Sequence, residues 1–256
     1  MSVFRFKKFE VTNERSAMKV GTDGVLLGAA ATLKPSDKAV LDVGTGTGVI
    51  ALMAAQRLAA MADNGESLDF QILGIDIDGP SASEAGSNFG RSPWSGNLSS
   101  MRISLAEFSR SYPESKFDLI LSNPPYYDDS LQNPDPRKNT ARHTSDPDSE
   151  SLPDGRLSYR GLIEFASAAL VPDGRLSLIL PADMEATLFR FGRSYGLSPF
   201  RLLRISTTSE KRPSRTVAEF AKSQTAALKE ETIVIQYHGA YTPAYRSLVH
   251  DFYLWA

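Results

Sequence analysis

Apolar residues in this chain gather into short runs, and between the runs the spacing turns helical. "KAVLDV", "FQILGIDID", "MRISLAEF", "FDLILSNPPY", "RLSLILP", "FRLLRIST" and "ETIVIQYH" read as strands, the first of them as a buried one. Helical spacing marks "GVIALMAAQRLAA", residues 81–91, "YRGLIEFASAAL" and residues 183–195. "TDGVLLGAAATL" reads as an earlier helix, N-capped by Thr22 or Asp23. Ahead of it, residues 1–22 are basic and aromatic and suggest a short strand or hairpin, then a polar loop. "MRISLAEF" enters a loop, and "VPDG" makes a turn. Residues 128–155 are rich in Asp, Asn, Pro and Ser and read as a long loop, of the kind that is functional or disordered. Residues 208–223, "TSEKRPSRTVAEFAKS", read as a basic linker between the last two strands. No internal repeat is visible.

Strands alternating with helices, closed by two late strands, predict an α/β fold with a mostly parallel seven-stranded sheet and an antiparallel hairpin at its C-terminal edge. Ligands in such sheets sit beyond the carboxyl ends of the strands. The length of 256 residues fits one domain, taken as residues 23–256 behind a basic, aromatic extension of residues 1–22.

Composition narrows the classes. With 41% hydrophobic and 23% charged residues the chain is of ordinary globular type. No apolar run reaches the ~18 residues that a membrane span needs, and the first ten residues lack the apolar core of a secretory signal. The absence of cysteine removes disulfides and thiolate metal sites and is consistent with a cytoplasmic location. No Asp, Glu and His cluster has metal-ligand spacing, so no metal is expected. A net charge of −2 means that any nucleic-acid surface must be local.

The candidate chemistry begins at "VLDVGTGTGVIAL". It puts Asp42, Gly44, Gly46 and Gly48 at a strand-to-helix turn, where glycines let the backbone pass close to a ligand. The G-x-G-x-G spacing misses the dinucleotide G-x-G-x-x-G pattern by one residue. Asp42 could order the loop or meet a ligand amine through water. Asp76, ending "ILGIDID", can accept two hydrogen bonds from a ribose diol, or act as a helix N-cap. Together these features point to a nucleoside-containing cofactor and away from a nicotinamide dehydrogenase.

"VLDVGTGTG", "GIDID" and "LILSNPPY" together resemble the class I S-adenosylmethionine-dependent methyltransferases that act on amino groups, a Rossmann-like fold. An exocyclic amine is a poor nucleophile because its lone pair is delocalised into the ring. Asn123 offers a side-chain oxygen and Pro124 a carbonyl to accept from both N–H groups, Pro125 stiffens the presentation, and Tyr126 supplies a stacking surface.

The start of the chain, "FRFKKFEVTNERSAMKVGTDGVLLGAAA", and "ARH" at residues 141–143 resemble the bacterial valine-tRNA adenine-N6 methyltransferases over almost the whole length. That resemblance implies methylation of the adenine just 3′ of the anticodon, at position 37. It implies S-adenosylmethionine as cofactor and a tRNA anticodon stem-loop as partner, with a monomer favoured.

Carried onto this chain, it places Lys19, Gly21, Thr22 and Asp23 near the cofactor. Asp42, Gly44, Thr45 and Gly46 take the methionine part, Asp76 and Ile77 the ribose side, and Asn123, Pro124, Pro125 and Tyr126 the target base. The cofactor adenine is left to Glu107, to Ser104 or to a backbone contact. Candidate RNA contacts are Arg5, Lys7 and Lys8; Arg137, Lys138 and Arg142; and Lys211, Arg212 and Arg215. His143 is assigned to RNA contact or to no role. The alternatives are another planar amine (a ribosomal guanine N2 or a release-factor glutamine) and a non-catalytic RNA-binding protein of the same fold. The short segment ahead of the first core helix argues against a glutamine methyltransferase, which would carry an added N-terminal helical domain.

Overall fold

The structure is a computed structural model that describes residues 2–16, 19–62, 68–124, 157–222 and 227–256. The extension forms a hairpin of β1 (Val3–Arg5) and β2 (Glu10–Thr12). The main sheet is built from β3 (Ala39–Val43), β4 (Gln71–Asp76), β5 (Leu98–Arg102), β6 (Phe117–Ser122), β7 (Leu170–Pro181), β8 (Ser198–Thr208), β9 (Arg215–Ala221), β10 (Lys229–Tyr237) and β11 (Ala240–Tyr241). Its spatial order is β11-β10-β8-β9-β7-β6-β3-β4-β5. All neighbours are parallel except β9, which runs against β7 and β8, and the β10–β11 edge hairpin.

The helices are α1 (Thr22–Ala30), α2 (Val49–Met61), α3 (Gly79–Gly90), α4 (Leu105–Ser111), α5 (Tyr159–Ala169), α6 (Glu185–Ser194) and α7 (Pro243–Val249). Strand alternation sends Val40, Leu119 and Val217 into one core with α1, α2 and α7. Leu41, Ile120 and Ala218 go into a second core with α4, α5 and α6. Among the described residues no helix is long and apolar enough to cross a membrane.

The parallel sheet, flanking helices and C-terminal edge hairpin are those expected, with nine strands in place of seven. The two extra strands are β11, the short partner of β10 at the edge, and β9, inside the segment read as a linker. The more telling of the two is β9. It is interior and buried from Thr216 to Ala221. The disguise is Glu219, a charge in the middle of an apolar run. Its carboxylate accepts from the Thr32 N–H (2.7 Å), the Thr32 and Ser177 hydroxyls (2.7 and 2.6 Å) and the Arg201 guanidinium (2.9 Å). A buried carboxylate is tolerated only when so fully paired. The others are smaller corrections. "LAEF" begins α4, not a loop. Gly21 caps α1 in place of Thr22 or Asp23, and Asp78 caps α3, which leaves Asp76 free of that duty.

Because Glu219 of β9 joins the segment just after α1 to β7 and β8, Glu219→Ala should lower the unfolding free energy by about 3–5 kcal/mol. Urea denaturation of the two proteins measures this; a loss under about 1 kcal/mol would show the cluster to be dispensable.

Candidate active site

After β3 the chain order reverses: β4 and β5 lie to one side, and β6 and β7 to the other. The crevice beyond the carboxyl ends at such a switch point is where ligands bind in open α/β sheets. Val43 pairs with both Ile75 and Ser122, so the residues just beyond, Asn123, Gly44 and Asp76, stand side by side at the ends of β6, β3 and β4. At the usual strand spacing Asn123 and Asp76 flank the glycine turn about 10 Å apart.

The turn depends on its glycines. Gly44, Gly46 and Gly48 have φ of 71°, 55° and 81°, in the left-handed region that other residues avoid. The amides of Gly44 and Thr45 both donate to the Ile75 carbonyl (2.9 and 3.0 Å), and the Gly46 amide donates to Asp76 Oδ2 (2.9 Å). A Cβ on Gly48 would strike the ring of Phe89, whereas one on Gly44 would meet nothing within 4 Å, so the turn is open above Gly44. Gly74, inside β4, leaves the gap that Thr45 fills; a Cβ there would lie 2.7 Å from its Oγ1.

Thr45 in turn donates from Oγ1 to Asp42 Oδ2 at 2.7 Å. Asp42 is 0% exposed, and its Oδ1 has no hydrogen-bond partner. Burial pushes its carboxyl up to about 7, against the pull of Thr45 and of the Ala51 backbone amide and with added repulsion from Asp76. Asp76 is also raised, chiefly by burial, although its oxygens accept from the Gly46 and Asp78 amides. Each of those oxygens keeps lone-pair capacity for a ligand hydroxyl. Beside it Ile77 is 48% exposed, an apolar surface at the rim.

The N-terminal segment braces this turn. Glu84 of α3 accepts from three successive amides, those of Glu14, Arg15 and Ser16 (2.7, 3.0 and 2.8 Å). Asn88 holds Thr12 through its amide and carbonyl, and donates to the Thr47 carbonyl at 2.8 Å. Ser16 Oγ thereby comes within 3.6 Å of the position of a Cβ on Gly46. Lys19 Nζ donates to the Asn13 carbonyl (2.7 Å), and α1 starts against Val49 at the head of α2. Asp23 pairs with Arg215 at 2.9 Å, on the side of α1 that faces β8 and β10.

The other expected residues are dispersed. Glu107 is exposed on α4, and Ser104 spends its hydroxyl on capping that helix (3.2 Å). Pro124 is buried behind Asn123, while Pro125 and Tyr126 lie outside the described residues, as do Arg137, Lys138, Arg142 and His143. The first basic group is largely structural: Arg5 pairs with Glu10 (3.0 Å), and Lys7 Nζ donates to the carbonyls of His250 and Ala256. Only Lys8 of the three has neither tie. Sequence reasoning missed Gly74, Glu84, Asn88 and Ser16. Gly74 had a signal, since an isolated glycine in a strand marks close approach; the contacts of Glu84 go to backbone amides and leave no trace in residue types.

Comparison with known proteins agrees with this geometry. The family model described as "Methyltransferase small domain" matches residues 19–139. A Parabacteroides distasonis protein called tRNA1(Val) (adenine(37)-N6)-methyltransferase is 39% identical over 98% of this chain and 97% of its own. A Bacteroides fragilis protein of the same name is 36% identical over 98% and 97%. Among solved structures, a predicted O-methyltransferase from Agrobacterium tumefaciens shares the fold, with a TM-score of 0.63 at 17% identity over 90% of this chain and 96% of its own.

Asp42 generates a pH prediction. Its carboxyl titrates near 7 when folded and near 3.8 otherwise, so between those values the folded protein binds the extra proton. Stability from this group is therefore greatest in acid and falls as pH rises to about 7. Asp42→Asn should remove that slope: its stability relative to the parent should rise from pH 5 to pH 8 in urea titrations. A difference that does not vary with pH would mean that Asp42 keeps an ordinary carboxylate pKa.

Proposed function

The chain belongs to the family of the tRNA1(Val) (adenine(37)-N6)-methyltransferases, and from that membership we propose that it methylates the N6 amine of adenine 37, beside the anticodon of a valine tRNA. The cofactor is S-adenosylmethionine, which supplies a methyl group on a cationic sulfur. The residues at the turn fit it. The open space over Gly44 admits the methionine part, and the buried, unpartnered Oδ1 of Asp42 lies under the turn as an anion that a cationic ligand would stabilise. Asp76 is the acceptor for the ribose hydroxyls and Ile77 the apolar surface beside them. Lys19, Gly21, Thr22 and Asp23 border the cofactor side in this reading; Lys19 is held to the Asn13 carbonyl, and Asp23 is paired with Arg215 of β9. Glu107 is the weakest assignment, because it faces solvent.

The observation that carries the reading is the row Asn123–Gly44–Asp76 across three neighbouring strand ends. It puts an amide oxygen one strand from the glycine turn. Asn123 Oδ1 and the Pro124 carbonyl accept from the two N–H groups of the target amine, which turns the nitrogen lone pair toward the methyl group. Pro124 fixes its own φ and is buried, so the acceptors are held in place before substrate arrives. The amine becomes acidic as the new C–N bond forms and releases its proton to water, so no strong base is needed. Pro125 and Tyr126 complete the base site in this reading.

The test is transfer of labelled methyl from S-adenosylmethionine to total bacterial tRNA, followed by digestion to nucleosides. Label should appear in N6-methyladenosine and, after separation of the tRNAs, in the valine species. Asn123→Ala should reduce the rate at least about a hundredfold, as loss of one preorganised hydrogen-bonding group does elsewhere, while S-adenosylmethionine binding persists. Label in N2-methylguanosine, or only in ribosomal RNA or release factor, would overturn the assignment of substrate.

A further inference from the structure

A second cleft, of about 380 Å³, opens on the same edge of the sheet, at the carboxyl ends of β8 and β10 and beside the start of α1. Its walls include Thr207, Ser214, Arg215, Gln236 and Tyr241. Thr22 and Asp23, the residues expected near the cofactor, also line it, so the start of α1 borders this cleft as well. Strand pairing sets the distance: Ser122 pairs with Leu178 of β7, and Pro181 of β7 with Arg215 of β9. Arg215 is thus two strands from β6, about 10 Å along the edge, and Gln236 of β10 and Tyr241 of β11 are four and five strands away, about 19 and 24 Å from the strand that carries Asn123. A polymer bound with one residue at Asn123 would reach Gln236 and Tyr241 with a residue a few positions along the same strand.

The lining has the chemistry of a nucleotide site. Gln236 brings an amide, which can donate and accept at once on a base edge. Thr207 and Ser214 bring exposed hydroxyls, and Arg215 a guanidinium held by Asp23 (2.9 Å). Tyr241 forms one wall with a ring that is 42% exposed. Trp255 stacks on it, with centroids 4.3 Å apart and planes 16° apart, and so fixes its orientation. Arg246 lies over Trp255 at 5.9 Å. The β8–β9 turn beside the cleft carries Lys211 and Arg212, both exposed. An oriented ring, an amide, hydroxyls and cations at the rim are what proteins use to hold an unstacked nucleotide of single-stranded RNA. The chain as a whole is slightly acidic, so a cationic rim here is local and not a consequence of composition.

We infer that this cleft is a second nucleotide subsite, which binds a base a few nucleotides from the one methylated and so helps to splay the RNA loop across the sheet edge. The inference rests on the proposed RNA substrate. Tyr241 supplies the stacking surface, Gln236 reads the base edge, and Lys211 and Arg212 meet the phosphates.

The test uses the full-length protein, its Gln236→Ala and Tyr241→Ala variants, and a fluorescently labelled, unmodified valine tRNA transcript. Each variant should weaken RNA binding by anisotropy about tenfold, and raise KM for the transcript to match, in line with the loss of one base contact. S-adenosylmethionine affinity and kcat at saturating RNA should stay at the parental values, and thermal melts should show both variants folded. Because Tyr241 also packs on Trp255, Gln236→Ala decides the matter if Tyr241→Ala melts early. Parental RNA affinity in folded Gln236→Ala and Tyr241→Ala would overturn the subsite even if the enzyme methylates tRNA. Failure of the parent protein to methylate any RNA would instead overturn the activity, and anisotropy would still report on the cleft.

Discussion

The hydrogen bond from the Gly46 amide to the Asp76 carboxylate ties the turn after β3 to the end of β4, and the rest of the site follows from it. The chain reaches Asp76 only by passing through left-handed conformations at Gly44, Gly46 and Gly48. That path drops Thr45 into the gap at Gly74, where its hydroxyl meets Asp42. Two carboxylates are thereby drawn together in a buried place, and both are raised by burial, Asp42 with added repulsion from Asp76 and Asp76 with added repulsion from Asp78. Such an arrangement works against stability in the unliganded protein. A cationic ligand with hydroxyls reverses the sign at both acids, which is the usual logic of a site that violates local rules for the sake of binding.

The sequence made one layer of this legible. Glycines at alternate positions, an acid at the end of the next strand and Asn-Pro after β6 are all punctuation at strand ends. Punctuation survives without knowledge of packing, because the backbone itself demands it. The parallel sheet was legible for the same reason: its strands are continuous apolar runs. What failed to show were features whose partners are remote. Glu219 looks like a solvated charge until Thr32, Ser177 and Arg201 are brought to it from elsewhere in the chain. Its presence hid β9 inside an apparently basic linker. Glu84 reads as the polar face of α3, yet it holds three backbone amides of the N-terminal segment. One basic group has contacts that residue types do not announce: Lys7 is tied to the C-terminal carbonyls and Arg5 to Glu10.

Lys7 shows why a basic, aromatic extension belongs to this enzyme's architecture. Its backbone amide donates to the Phe252 carbonyl, and its ammonium reaches the carbonyls of His250 and Ala256. Phe6 stacks on Tyr253, Tyr253 on Trp255, and Trp255 on Tyr241 at the rim of the second cleft. On its other side the same segment is bound by Glu84 and Asn88, and through them it lies against Gly46. One short segment therefore rests between the glycine turn and the C-terminal aromatic stack. Aromatic stacking is strong per unit of chain and costs little side-chain entropy. A hairpin of two three-residue strands, too small to be stable alone, can then act as a fixed wall for a site built mainly from other parts of the sequence.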